Sequence, residues 1–123
     1  MPVLTRSMRV ALKHVATLAR YCYFENYSAA EKYLNEVKDE IRRRGAWGEG
    51  CFAAVRGMII AGREASPITY YYRVRNADLE SLAKMRESLV KDLARENIDE
   101  FESGFLQAWL TIIDTIIKVK KSR

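Results

Sequence analysis

The stretch that decides the fold is residues 4–23, LTRSMRVALKHVATLARYCY. Leu4, Met8, Ala11, Val15, Leu18 and Cys22 recur at spacings of four, three, four, three and four, an apolar seam that only a helix lays along one side. Leu12, Ala19 and Tyr23 widen the seam, and the spacing predicts a helix over residues 5–24. Arg6, Arg9, Lys13 and Arg20 stand three, four and seven residues apart, opposite the seam. The period that buries one side therefore gathers four cations on the other.

The same logic carries down the chain. Ser28 and Glu31 have the spacing of a capping box, in which each side chain satisfies a free backbone amide of the other residue. It predicts a second helix over 29–44, with Tyr33, Leu34, Val37 and Ile41 facing inward, and with Gly45 free to take the left-handed position that ends it. Residues 46–65 read as a third helix of another kind: Trp47, Cys51, Phe52, Val55, Met58, Ile59 and Ile60 spread around most of its circumference. A helix apolar nearly all round belongs at the centre, where Gly57→Leu would overpack it.

Pro67 interrupts the pattern, and Ile68 to Arg75 alternates as a strand would, with Tyr70, Tyr72 and Val74 on one side. This predicts a short extended segment near 67–75, with the first turn of the next helix as the alternative. Asn76 or Asp78 caps a fourth helix that buries Leu79, Leu82, Met85, Leu89 and Leu93. Asn97 with Glu100 repeats the capping-box spacing and opens a fifth, carrying Phe101, Phe105, Ala108, Trp109, Ile112, Ile113 and Ile116. The expected fold is all-α: one helical domain over residues 1–123, a compact bundle of four to five helices, mostly antiparallel.

Composition agrees. At 49% hydrophobic and 30% charged, the chain is neither disordered nor of low complexity. Two prolines and six glycines are too few for a many-stranded β protein. The first residues lack the apolar core of a signal peptide, and no window reaches the ~18 apolar residues of a membrane span. We therefore expect a soluble, cytoplasmic protein that keeps off membranes. Cys22 and Cys51 read as two buried thiols, a disulfide between them being open only to a hyperthermophile. One glutamine, four asparagines and abundant Arg, Lys, Glu and Ile make the composition thermophile-like.

No cofactor or metal is expected. The single histidine and two cysteines form no CxxC or HxxxH pair. Gly45, Gly48 and Gly50 follow a helix and precede no Gly-Lys-Ser/Thr, so they are not a phosphate loop.

Charge points to a partner instead. Residues 1–24 hold four bases and no acid, whereas residues 77–103 hold eight acids and four bases. The basic stripe of Arg6, Arg9, Lys13 and Arg20 has the form that phosphate neutralisation requires. Tyr71, Arg73 and Arg75 add an aromatic face for stacking and cations for phosphate. The leading expectation is a non-catalytic binding or adaptor protein for RNA or DNA, with RNA favoured. Large apolar residues in the last helix (Leu106, Trp109, Leu110 and Ile117) exceed one core-facing stripe, and predict a homo-oligomer, as a dimer, through them. A purely structural oligomer is the alternative without nucleic acid.

Catalytic residues are scarce, and His14 is the only side chain whose ordinary titration suits proton transfer near neutrality. Arg9 and His14 enclose four residues, Val10 to Lys13, which resembles the Arg-x4–6-His motif of HEPN ribonucleases. The run Ser28 to Leu34 also looks like the Ala-Ala-Glu-Lys segment of some HEPN helices. The resemblance implies a small helical bundle that dimerises to cleave RNA with Arg9 and His14. The chain departs from that pattern in two ways: the motif stands early, and Val10 occupies the place of a polar residue.

Overall fold

In the computed structural model, which describes residues 3–123, the apolar seam forms α1 (Arg6–Tyr23). Thr5 starts it: its hydroxyl accepts the Met8 amide at 3.3 Å, and the Met8 sulfur accepts the Thr5 amide at 3.5 Å. There follow α2 (Tyr27–Arg42), α3 (Gly45–Glu64), α4 (Tyr70–Asn76), α5 (Leu79–Leu93) and α6 (Glu100–Lys121). The described residues thus form six helices and no strand, where four to five and an extended segment were expected.

The extra element is α4. The Thr69 hydroxyl accepts the Tyr72 amide at 3.3 Å and caps it. Tyr71 and Val74, three residues apart, turn inward together, which the alternation of a strand would prevent. Two starts also differ from expectation. α2 begins at Tyr27 behind Asn26, which makes no side-chain capping bond, so Ser28 lies inside the first turn. α6 is capped by Asp99, whose carboxylate accepts the Glu102 amide at 2.7 Å, and not by Asn97. Gly45 does take the left-handed conformation, at φ 62°, and Asp78 caps α5.

Consecutive long helices run in opposite directions. Arg42 and Arg63, near the two ends of the α2–α3 pair, reach Glu49 and Glu31 across it. Arg86 of α5 and Arg95 just past its end do the same to Asp114 and Glu102 of α6. α1, α3 and α6 are co-directional: α3 and α6 touch at their starts, and α1 and α6 meet at their ends, where Lys120 and Arg123 reach the Tyr23 and Phe24 rings. The antiparallel rule therefore holds between sequence neighbours but not at the centre. The largest interface joins α3 to α6, with α1 against both, α2 outside α1 and α3, and α5 outside α6.

Glycine permits that central contact. A Cβ on Gly50 would collide with the Phe101 carbonyl, and one on Gly104 with the Trp47 carbonyl, so the two backbones touch where the helices start. α3 is central but not buried all round. Arg56, Gly57 and Ile60 lie at the surface, and a Cβ on Gly57 would meet nothing within 4 Å, which corrects the expectation of overpacking there. Among the described residues no helix is long and apolar enough to cross a membrane.

Candidate nucleic-acid interface

Arg6, Arg9, Lys13 and Arg20 are all exposed on α1. At ~1.5 Å per residue they cover about 21 Å of helix. Among the described residues, none of the four lies within ion-pair distance of a carboxylate. Among the acids of the neighbouring α2 and its entry turn, Glu25 pairs with Arg75, Glu31 with Arg63 and Glu40 with His14, although Glu40 shares a recess with Arg6; Glu36 and Asp39 meet no base among the described residues. The acidic α5 packs against α6 and does not cover the stripe. Arg9 makes one internal bond, its guanidinium donating to the Leu4 carbonyl at 2.9 Å.

The stripe ends at a residue that the reading of the sequence missed. Phe24 follows Arg20 by four residues on the same side of α1 and is 56% exposed. The Tyr23 ring meets it edge-on at 5.2 Å, and the Arg123 guanidinium lies 5.6 Å from its centroid. Arg20 and Phe24 line one recess with Thr17 and Asn26, while Phe24, Lys120 and Arg123 line another. The register was the available signal, since Arg6, Lys13, Arg20 and Phe24 continue one side of the helix. Phe24 lies just beyond the apolar seam that drew attention to α1.

Tyr71 does not provide the expected stacking face; Tyr72 is the exposed member of the tyrosine cluster. Tyr71 is only 3% exposed; its hydroxyl donates to the Cys22 carbonyl at 2.7 Å and lies 3.2 Å from the Tyr27 hydroxyl. Burial raises its phenol well above the usual range. The aromatic platform expected at Tyr71 is thus a core residue locking α4 onto α1. Arg75 is committed too, with Nε and Nη2 donating to the Tyr23 carbonyl at 3.2 and 3.0 Å and an ion pair to Glu25 at 3.1 Å. It caps the last turn of α1, a structural task where a phosphate contact was expected. Arg73 is exposed and sits over the Tyr70 ring at 5.5 Å.

Arg9 and His14 are not brought together. Five residues on a helix turn through about 140°, and the two side chains leave α1 on different sides. Both ring nitrogens of His14 face α2, Nδ1 at 2.8 Å from the Tyr33 hydroxyl and Nε2 at the Glu40 carboxylate. The arrangement ties two helices together and presents no free ring nitrogen beside Arg9.

The apolar surplus of α6 is spent within the chain. Trp109 is 6% and Leu110 4% exposed, and the Tyr70 ring stacks edge-on against Trp109 at 4.8 Å. Neither is open to a second copy, which corrects the expected interface; Leu106 and Ile117 are half-buried against the same core. Cys22 and Cys51 are free and buried, and burial pushes both thiols up to about 12. Cys51 donates its S–H to the Gly104 carbonyl at 3.2 Å. Among the described residues no group of His, Cys, Asp and Glu is placed to hold a metal ion. Comparison of the chain with protein-family models, with curated proteins and with solved structures gives no match in any of the three.

Proposed function

We propose that this chain is a small, non-catalytic helical protein that holds nucleic-acid phosphate along α1, with RNA as the favoured partner. The observation that carries the reading is the exposed run of Arg6, Arg9, Lys13 and Arg20, none of them within ion-pair distance of a carboxylate among the described residues. Among the described residues Arg42, Arg63, Arg75, Arg86 and Arg95 each meet a carboxylate, whereas Arg43, Arg44, Arg56, Arg73 and Arg123 do not; what sets the stripe apart is that its four cations line one side of one helix. Four cations left free along one helix provide the counterion-releasing surface on which phosphate binding depends. We also place the protein in the cytoplasm, a reading that two free thiols support.

The test is the salt dependence of binding, read by fluorescence anisotropy with labelled RNA and DNA. Replacing Arg6, Arg9, Lys13 and Arg20 together by glutamine should reduce the slope of log K against log salt by about 3–4 units. The loss should be alike for every sequence, because phosphate contacts position without reading bases. An unchanged slope, or a native protein without affinity at low salt, would overturn the proposal.

A further inference from the structure

A row of cations along a helix treats single and double strands alike; the residue at the end of this row does not. Phe24 shares the side of α1 that carries Arg20 and is more than half exposed. Its ring is oriented by the edge contact with Tyr23 at 5.2 Å and an interplanar angle of 90°. The recess on one side is lined by Arg20, and that on the other by Lys120 and Arg123 together with Glu25 and its ion-pair partner Arg75.

We propose that Phe24 is a stacking platform for an unpaired nucleobase, flanked by Arg20 and Arg123 for the adjoining phosphates, and that it makes the α1 surface selective for single strands. The inference rests on the phosphate-binding reading and adds the form of the nucleic acid. Every base carries a π-face, so the platform needs no particular sequence; in a duplex those faces are covered by neighbouring bases. Arginine suits the flanking positions because its planar guanidinium can pair with phosphate and stack on rings, and that of Arg123 already lies 5.6 Å from the Phe24 centroid. The buried Tyr71 cannot compete for this task, and the half-buried Tyr21, which shares the recess with Arg20 and Phe24, has its ring against Tyr33.

The experiment compares oligouridine and oligothymidine of about 12 nucleotides with a duplex of the same length. The full chain should prefer the single strands. Phe24→Ala should weaken both by roughly five- to a hundredfold and leave the duplex within about twofold. Phe24→Trp should keep the preference, and its emission should be quenched by single strands, against a background from Trp47 and Trp109 that are buried and stay unmoved. Phe24→Leu should behave as the alanine variant does, since it retains apolar bulk without a π-face. Equal affinity of the native chain for single strands and duplex, or a Phe24→Ala loss that is absent, confined to one sugar or shared by the duplex, would overturn this inference while leaving the phosphate reading intact. No affinity for any of the three probes would overturn both.

Discussion

The Nδ1 nitrogen of His14 lies 2.8 Å from the Tyr33 hydroxyl, and its Nε2 meets the Glu40 carboxylate. A carboxylate can only accept, so Nε2–H donates to Glu40, and in the neutral ring Nδ1 accepts from Tyr33. The bridge spans α1 and α2 and leaves the ring no lone pair to offer a substrate. His14→Ala should therefore cost about 1–2 kcal/mol in urea unfolding and leave nucleic-acid affinity unchanged. An RNA-cleaving activity that vanished with His14 while stability held would contradict this structural role.

Two glycines should respond in opposite directions. Gly57 is exposed within α3 with nothing near its missing Cβ, so Gly57→Ala should stabilise by about 0.5–1 kcal/mol and raise the melting temperature by a few degrees. Gly104→Ala drives a methyl into the Trp47 carbonyl, where backbone faces backbone and neither helix can yield. Its cost should reach about 3 kcal/mol or more. Calorimetry on the two variants checks both, and a neutral Gly104→Ala would disprove the close approach of α3 and α6.

Tyr71 offers a separation between fold and binding. Tyr71→Phe removes the bond to the Cys22 carbonyl and should cost about 1 kcal/mol of stability. Its affinity for single-stranded RNA should equal that of the native chain. A weakened affinity at unchanged stability would return this residue to the binding surface.

The thiols should make the fold sensitive to alkali. Cys22 and Cys51 stand near 12 in the native state against an ordinary 9.0, so above pH 9 the unfolded chain gives up protons that the folded chain keeps. Stability then falls as pH rises from about 9 towards 12, and is unaffected by these groups below 9. A double Cys22→Ala, Cys51→Ala variant should show a shallower fall in urea midpoint over that range. At pH 8 both native thiols should resist iodoacetamide and react once the chain is unfolded.

Five of the six helices were legible in the sequence: α1, α2, α5 and α6 because a 3.6-residue apolar period recurs over fifteen or more residues, and α3 because its apolar residues run almost unbroken around a twenty-residue helix. So was the turn at Gly45, where an amino acid without a Cβ sits at φ 62°. The basic stripe was legible for the same reason, since a helix sorts cations and apolar residues by one rotation. α4 was not: its seven residues are too few to tell a period of 3.6 from one of 2, and the Thr69 cap decided it. Periodicity could say that Tyr71, Trp109 and Leu110 were large and apolar, but not which element would cover them. Only the tertiary structure decided that, by packing α4 against α3, from where Tyr71 reached the Cys22 carbonyl of α1 and Tyr70 covered Trp109 of α6. A helix period is set by bonds within a few residues, whereas burial is set by whichever distant segment comes to rest on the surface. For that reason Phe24, over which no helix comes to rest, stayed more than half exposed, and Tyr71 did not.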